Sequence, residues 1–297
     1  MPLKNELKLS PIVHGHMRLS EWGLSNQQLL KLIEEVVEIG ITSFDHADIY
    51  GNYTCEALFG KALKLNKKLR QDIQIITKCG IKPVSDKFPD RQIGTYEYSY
   101  EHIITSVNNS LENLDTDYID LLLLHRPSPL LNPEEVAKAF DYLKKSGKVL
   151  HFGVSNFTPQ QFLMLESWVN VPLETNQIEI SPYHLEHFDN GNLEFLLQKN
   201  IKPMAWSPLS AGKLLNPSDQ KSHRLYTCLH KIANELNVDD IEQIVYSWLL
   251  KHPAKIIPVI GTGKILRIKK AMESLHINMK DEQWFRIYIA STGEKLP

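Results

Sequence analysis

The sequence predicts an α/β fold, in which one (β/α)8 TIM barrel spans residues 1–297 as a single domain. Strand-like apolar runs alternate with helical patterns along the chain, and this alternation is typical of α/β architecture. Eight such units in about 250 residues suit one barrel. The runs Ile73–Lys78 and Tyr118–His125 lack a polar–apolar alternation, as expected of parallel strands that are covered on both faces. No Pro/Gly-rich linker, charge block or low-complexity segment divides the chain.

The predicted elements follow one another in regular order. The first clear helix begins after Ser25, a good N-cap, and ends before Gly40. Another helix follows Asn132 as its cap, has Pro133 at its first position and stops at Gly147. The buried stripe of the first helix is predicted to consist of Leu29, Leu30, Ile33, Val36 and Val37. The predicted strands are Ile12–His14, Thr42–Asp45, Ile73–Lys78, Tyr118–His125, Val149–Val154, Leu173–Gln177, Lys202–Trp206 and Lys255–Val259.

The longest irregular stretch runs from Cys79 to about Tyr98. It contains the aromatic residues Phe88, Tyr96 and Tyr98. Two interpretations stay open: these aromatics line the mouth of a substrate pocket, or the stretch is a surface loop of ordinary turn residues.

Composition and charge argue against several classes of protein. With 42% hydrophobic and 23% charged residues the composition is that of a globular protein, and the net charge of -2 provides no basic field for nucleic acid. No run approaches the roughly 20 apolar residues that span a bilayer, and the N-terminus lacks an apolar signal core. The three cysteines, Cys55, Cys79 and Cys228, follow no pattern, which favours a reducing, cytoplasmic location. We expect no membrane partner and a monomer or weak homo-oligomer.

Four ionisable residues stand at or just after predicted strand ends: Asp45, Tyr50, Lys78 and His125. The carboxyl ends of barrel strands are where this fold keeps its chemistry. A tyrosine normally holds its proton until about pH 10, and a nearby ammonium lowers that pKa by stabilising the phenolate. The aspartate would keep the lysine charged, and the histidine would orient a carbonyl oxygen beside the tyrosine hydroxyl. The set therefore predicts a site that protonates a carbonyl oxygen while another group delivers hydride.

Each of these residues also has a purely structural interpretation. Tyr50 taken alone would be a packed loop residue, Asp45 a turn residue, and His125 a packed histidine beside Arg126. Cys79, which adjoins the lysine, is either a reactive thiol or a quiet packed one.

A metal-dependent hydrolase on the same barrel is another interpretation of the acids and histidines near the strand ends. No two of these residues form a recognised ligand pair such as HExxH. A charged Lys78 within the cluster would also repel a cation. The residues concerned are Asp45, His46, Asp48 and His125, with His14 and His16 as further candidates.

Several motifs in a fixed order resemble those of the aldo-keto reductase family, and in particular a bacterial oxidoreductase subgroup. They are DHADIYGNYTCEALFGKAL, IITKCG, LLLLHRP, SGKVLHFGVSNF, ETNQIEISP, AWSPLSAGKL and PVIGTGKILRIKKA. The likeness extends roughly from Ile12 to Ala290. It implies an enzyme that reduces small-molecule aldehydes or ketones with NADPH, in which Tyr50 donates the proton.

The resemblance also implies how the nicotinamide is bound. Hydroxyls and amides of Ser155, Asn156 and Gln177 would hold its carboxamide, which needs both a donor and an acceptor. The alternative is that the serine and asparagine cap the helix that starts at Thr158.

Residues of the next strand and loop are implied to contact the nicotinamide ring and the pyrophosphate. Trp206 would stack on the ring, at a position where the family usually has tyrosine or phenylalanine. The loop SPLSAGKL would supply backbone donors, at Ser207 and Leu209, and the cation of Lys213.

The segment IGTGKILRIKKA contains the last strand-to-helix turn and the start of the helix that follows it. A glycine-bearing turn before a helix N-terminus is a natural phosphate site, although the GxGxxG fingerprint is absent. Thr262 and Arg267 match the family positions that grip the adenosine 2′-phosphate, and Lys264 adds positive charge, which favours NADPH over NADH. The family often has Glu-Asn, which read the adenine, where this chain has Lys270-Ala271. Use of both NADPH and NADH therefore stays an open alternative. The predicted contacts are Gly261, Thr262, Gly263, Lys264 and Arg267.

The resulting hypothesis is an NADPH-dependent carbonyl reductase. The rival hypothesis is a nicotinamide-binding regulatory module with little turnover, since some relatives in the family serve as ion-channel subunits. Repeated NADPH oxidation with a panel of aldehydes would distinguish the two.

Overall fold

The computed structural model describes residues 7–296, and its main feature is a barrel of parallel strands. The strands in chain order are β1 (Val13–Gly15), β2 (Ser43–Asp45), β3 (Gln74–Cys79), β4 (Ile81–Lys82), β5 (Thr95–Tyr96), β6 (Ile119–Leu124), β7 (Val149–Ser155), β8 (Leu173–Glu179), β9 (Met204–Trp206) and β10 (Ile257–Ile260). Eight of them form a closed barrel in the order β1-β10-β9-β8-β7-β6-β3-β2. Each barrel strand overlaps a predicted strand, so the predicted fold class is confirmed.

Two compact units are distinguished within the described residues. The first extends to Asn176 and includes Gly261–Gly263; the second comprises Gln177–Ile260 and the chain from Lys264 onward. All four residues of the predicted catalytic set belong to the first unit. The prediction that the whole chain is one domain stays a prediction.

The helices are α1 (Asn26–Glu38), α2 (Tyr50–Tyr53), α3 (Cys55–Leu63), α4 (Tyr100–Asn113), α5 (Pro133–Lys145), α6 (Pro159–Glu166), α7 (Glu186–Asp189), α8 (Asn192–Gln198), α9 (Gln220–Glu235), α10 (Ile241–Lys251), α11 (Ile265–Glu273) and α12 (Asp281–Thr292). Short 3-10 helices are Leu19–Glu21, Lys64–Gln71, Ser210–Gly212 and Ser274–His276. None of the helices described here is both long enough and apolar enough to cross a membrane.

The two helices predicted from capping signals begin where expected. Ser25 accepts a hydrogen bond from the backbone of Gln28 and completes a capping box at α1, while Asn132 caps α5, with proline at its first position. The buried stripe of α1 is Leu29, Leu32, Ile33 and Val36. Leu30 and Val37 are only half-buried, because they lie about 100° further round the helix than the centre of that stripe.

The stretch from residue 79 to 98 is more ordered than a plain loop. Strands β4 and β5 pair in antiparallel fashion, and Phe88 and Tyr96 are exposed. Tyr98 is instead buried, because its ring lies against Gly80 and its hydroxyl donates to the carbonyl of Arg126 (2.5 Å). Tyr98 thus anchors the end of this segment, and a pocket-lining role for the three aromatics stays a prediction.

Candidate active site

Lys78 is the centre of the candidate active site. It lies near the end of β3, and its side chain is fully buried. The Nζ atom donates hydrogen bonds to Asp45 Oδ2 (2.8 Å), to the carbonyl oxygen of His46 (2.7 Å) and to the hydroxyl oxygen of Tyr50 (3.0 Å). Because an ammonium has three donors, all of them are in use and the position of the charge is fixed.

Strand register explains why Asp45 and Lys78 meet. Asp45, the last residue of β2, pairs with Ile76 of β3, two residues before Lys78. Residues two apart in a strand point to the same face, so both side chains lie on one face of the sheet. Asp45 is itself only 3% exposed, which makes this a buried ion pair.

Burial and charge together set the protonation states of Lys78 and Tyr50. Burial alone would lower the pKa of Lys78, but Asp45 and Tyr50 raise it, and the net pKa lies above its ordinary value. Burial raises the pKa of Tyr50 above 10; Lys78 lowers it, but by less. The net pKa shift of Tyr50 is thus opposite to the one predicted from the sequence. At neutral pH the lysine is charged and the tyrosine keeps its proton, as a proton donor must.

His125 directly follows β6 and stands edge-on to Tyr50, with ring centroids 5.9 Å apart and planes at 79°. Burial lowers the pKa of His125 well below its ordinary value, and the charges of Lys78 and Arg126 lower it further. The imidazole is therefore neutral and carries one N–H donor. A neutral donor beside the tyrosine hydroxyl can orient a carbonyl oxygen, which is the role predicted for it.

Three fully buried histidines adjoin this site, and the sequence pattern suggests them only as candidate metal ligands. His16 Nδ1 lies 3.1 Å from His46 Nε2, and His14 Nε2 donates to the carbonyl of Thr262 (2.8 Å). The carbonyl of His46 is also an acceptor for Lys78. These three histidines, the histidine cluster, thus connect the lysine environment with the turn at Thr262.

Aromatic rings enclose the histidine cluster. Trp22 stacks on His14 at 5.5 Å, and Phe44 stacks on His16 at 5.7 Å. One nitrogen of each cluster ring is buried without a hydrogen-bond partner among the described residues: His14 Nδ1, His16 Nε2 and His46 Nδ1. Within residues 7–296 no group of three His, Cys, Asp or Glu side chains is arranged to hold a metal ion. The surroundings favour neutral, packed imidazoles.

The histidine cluster predicts loss of stability in mild acid. Burial lowers the pKa of His14 to about 4 from 6.5, and burial likewise lowers those of His16 and His46. The unfolded chain therefore binds protons before the folded one as the pH falls, so stability is lost between pH 6.5 and about 4. For His14 alone we expect a loss of about 2 kcal/mol in unfolding free energy between pH 7.5 and 5. Urea unfolding at the two pH values measures it.

The matched variant is His14→Gln, which keeps an N–H donor for the carbonyl of Thr262 but does not titrate. Its unfolding free energy should depend less on pH than that of the wild type, by about the same 2 kcal/mol. An identical pH dependence in both proteins would contradict the assignment of this loss to His14.

Cys79 is a packed thiol. It is 1% exposed, and burial raises its pKa well above the ordinary value, with further increases from the nearby acids Asp48 and Glu56. Because the thiolate is the reactive form, these surroundings favour an unreactive, packed thiol over a reactive one. Glu56, for which the sequence carries no signal, accepts a hydrogen bond from Thr77 Oγ1 (2.6 Å) and supports β3 from helix α3.

Within the first unit, the predicted cofactor residues sit at turns. Asn156 has a left-handed backbone (φ 62°), and its amide donates to Ser155 Oγ (2.8 Å). Helix α6 is capped by Thr158 itself, so Ser155 and Asn156 are not its N-cap. Gly263 packs so closely on Trp22 that a Cβ there would lie 2.8 Å from the ring. Gly261 is exposed.

Within the second unit, the remaining cofactor residues occupy a strand, a loop and a helix start. Gln177 lies inside β8, which continues two residues beyond the predicted strand end, and Trp206 ends β9. Ser207 has φ 54°, and its hydroxyl accepts from the backbone of Ala211 (3.1 Å). Leu209 and Lys213 bracket the 3-10 turn, and the lysine ammonium lies 4.7 Å from the ring centre of Tyr183.

Helix α11 begins after Lys264, which is exposed. Arg267 on this helix makes a two-pronged ion pair with Glu242, through Nε (3.2 Å) and Nη2 (2.8 Å). The pair fixes the guanidinium plane while committing two of its five N–H donors. Lys270 pairs with Asp240 one turn further on.

Comparison with known proteins supports the predicted family. The profile of the Aldo/keto reductase family matches residues 11–291. The uncharacterized oxidoreductase YcsN of Bacillus subtilis is 48% identical over 99% of this chain and 98% of its own length. The 6-dehydroglucose reductase of Agrobacterium fabrum is 41% identical, again over 99% of this chain and 98% of its own length.

The fold has a solved counterpart in the thermostable aldo-keto reductase Tm1743, crystallised with the inhibitor epalrestat. The two chains match with a TM-score of 0.80 at 23% identity, over 97% of each. At that identity the likeness shows the fold alone. The family profile and the curated relatives, each covering nearly all of the sequence, go further: the chain is an oxidoreductase that belongs to the aldo/keto reductase family.

Proposed function

We propose that this chain is an NADPH-dependent reductase of aldehydes or ketones, with Tyr50 as general acid. The observation that carries the proposal is the fixed position of Lys78 Nζ, bonded at once to Asp45 Oδ2 and to the Tyr50 hydroxyl. A phenol that gives up its proton leaves a phenolate, and the adjacent ammonium stabilises that charge. Neutral His125 orients the carbonyl oxygen toward the hydroxyl. In alcohol oxidation the phenolate of Tyr50 acts as the base.

The residues present fit a nicotinamide cofactor, which when bound supplies the hydride. The primary amides of Asn156 and Gln177 each offer the donor and the acceptor that a carboxamide needs. Lys213 and Lys264 carry exposed positive charges suited to phosphate groups. The proposed contacts are Ser155, Asn156, Gln177, Trp206, Ser207, Leu209, Lys213, Gly261, Thr262, Gly263, Lys264 and Arg267.

Arg267→Ala is predicted to weaken NADPH binding about ten- to hundredfold and NADH binding little. A guanidinium held in place by Glu242 has further donors for the 2′-phosphate, which only NADPH carries. Hydrogen bonds to charged groups contribute roughly 1.5–3 kcal/mol, which gives this range. Titration of both cofactors, followed by fluorescence quenching at one salt concentration, measures the effect.

Lys269→Ala is the matched control, since it removes one positive charge from an exposed position on the same helix. It should change both affinities only slightly. Equal losses for NADPH and NADH in Arg267→Ala would mean that the arginine supports the fold or the pyrophosphate instead. A wild-type preference for NADH would refute the NADPH proposal and leave the reductase proposal standing.

The function itself is tested by steady-state NADPH oxidation with a panel of aldehydes and ketones. The panel should include 6-dehydroglucose, because a relative with 41% identity is named for its reduction. Repeated turnover with any member supports the enzyme. Tight binding of NADPH without turnover on the whole panel would favour the rival, a regulatory module that binds the cofactor. Light scattering of the same sample tests the predicted monomer or weak homo-oligomer.

A further inference from the structure

The chain that follows Tyr50 is held in an unfavourable backbone conformation. Gly51, Asn52 and Tyr53 have consecutive left-handed φ angles of 58°, 54° and 62°. Glycine adopts this region freely and asparagine is enriched in it, but a bulky tyrosine there is an outlier. A Cβ at Gly51 would lie only 2.5 Å from Cys55 Sγ, so the tightness of the turn requires glycine. Such strain persists only where surrounding contacts fix it.

The strained turn determines where Tyr50 stands. The backbone N–H of Tyr50 donates to the carbonyl of Ala47 (3.1 Å), and its carbonyl accepts from the N–H of Thr54 (3.1 Å). The bond to Thr54 spans residues 51–53, and the bond to Ala47 ties Tyr50 to the chain that precedes the turn. Relaxation of residues 51–53 would shift the tyrosine ring and lengthen the 3.0 Å contact between its hydroxyl and Lys78.

One loop supplies the contacts that hold the turn. Residues 83–91, here named the clamp loop, lie between β4 and β5. Within this loop, Ser85 Oγ donates to Asn52 Oδ1 (2.6 Å), and Asp86 Oδ1 accepts from Asn52 Nδ2 (2.5 Å). Both polar atoms of the asparagine side chain are therefore bonded to the clamp loop.

Tyr53 is held by the same loop. Its carbonyl accepts from Lys87 Nζ (3.2 Å), and its hydroxyl accepts from Arg91 Nη1 (2.8 Å). The ring of Tyr53 packs edge-on against that of Phe88, with the ring centroids 5.2 Å apart. The guanidinium of Arg91 lies over the Phe88 ring, 3.7 Å from its centroid. Asn52 and Tyr53, the two left-handed residues of this turn other than glycine, are thus each tied to the clamp loop by at least two contacts.

We propose that Asn52 and Tyr53 are positioning residues for proton transfer, held by the clamp loop so that Tyr50 stays beside Lys78. The inference rests on the proposed role of Tyr50. The clamp loop begins shortly after β3, the strand that carries Lys78, so one segment ties the position of the proton donor to that of the cation. Misplacement of a reacting group by about 1 Å can reduce the rate about a hundredfold.

The test exchanges the donor and the acceptor of one clamp contact. Asn52→Asp places two carboxylates against each other and should lower kcat about ten- to hundredfold, with little change in the Kd for NADPH. The double variant Asn52→Asp/Asp86→Asn restores the contact with its polarity reversed, and Ser85 can still donate to residue 52. Its kcat should return to within about threefold of the wild type, as expected for two residues that act through one contact.

Two further variants separate positioning from general stability. Asn52→Gly tolerates the left-handed backbone but loses both side-chain contacts, so its kcat should also fall while the Kd stays unchanged. Lys82→Gln removes the ion pair with Glu97 at the base of the hairpin that carries the clamp loop, without touching Asn52 or Tyr53, and its kcat should match the wild type.

The outcomes distinguish this inference from the proposed function. Unchanged kcat in Asn52→Asp and Asn52→Gly, with a lower melting temperature only, would overturn the positioning role. The same holds if the double variant is no better than Asn52→Asp alone. Full activity of Tyr50→Phe would overturn the role of Tyr50 itself, whatever the clamp variants do.

Discussion

Tyr50→Phe is expected to lower kcat by about 10²–10⁴-fold while NADPH binds as in the wild type. A positioned general acid typically contributes this much to the rate. The substitution removes only the hydroxyl that Lys78 contacts at 3.0 Å, and the ring can keep its edge-on packing with His125. Because burial holds the pKa of Tyr50 above 10, the wild-type hydroxyl is protonated over the whole neutral range. The measurement is kcat for an activated aldehyde, with the Kd of NADPH determined in parallel.

Tyr142→Phe on helix α5 is the matched control, since it removes the hydroxyl of an exposed tyrosine. Its kcat should equal that of the wild type. A near-wild-type kcat in Tyr50→Phe would contradict the assignment of Tyr50 as the general acid. A parallel loss of cofactor affinity would instead indicate that the hydroxyl supports the binding site.

The barrel and the contacts of Lys78 follow from local features of the sequence. Continuous apolar runs predict buried parallel strands, and each of two such runs carries one ionisable residue where it ends, Lys78 and His125. Barrel strands bring their carboxyl ends to one mouth, so residues that are distant in sequence can be placed together without knowledge of any loop. Capping residues such as Ser25 likewise act within one helical turn, and α1 begins where this signal predicts.

Features that depend on contacts between distant segments could not be predicted from the sequence pattern. Tyr98 looks like a loop aromatic, and only its packing on Gly80 and its bond to Arg126 bury it. His14 and His46 carry no local signal for a shared cluster, because the pairing of β1 with β2 brings them together. A further signal was available for the strained turn: Gly and Asn side by side after the tyrosine are typical of left-handed backbone.

The net pKa of Tyr50 shows why neighbouring charges alone do not predict the direction of a pKa shift. The sequence identifies the lysine that lowers this pKa, but it does not reveal how deeply the phenol is buried. Burial raises the pKa by more than Lys78 lowers it. In the proposed reaction, Lys78 would therefore serve less to ionise the resting tyrosine than to stabilise the phenolate that forms when the proton leaves.

Lys78→Met is expected to lower both kcat and stability. Removing the cation breaks the buried ion pair of Lys78 with Asp45, which is 3% exposed, and breaking a buried pair in this way costs about 3–5 kcal/mol. It also removes the charge that stabilises the phenolate, so the pKa of Tyr50 rises further. The limb of the pH–rate profile for alcohol oxidation that depends on the phenolate should move to higher pH.

A lower rate alone would not separate catalysis from packing, so the double variant Asp45→Asn/Lys78→Met is the decisive comparison. It replaces the ion pair by neutral groups of similar size, and most of the lost unfolding free energy should return, because the buried negative charge is removed together with the positive one. The rate should not return, since neither side chain can stabilise a phenolate. Recovery of kcat together with stability would show that Lys78 acts only through the fold. Full activity of Lys78→Met with an unchanged pH–rate profile would exclude any influence of Lys78 on Tyr50.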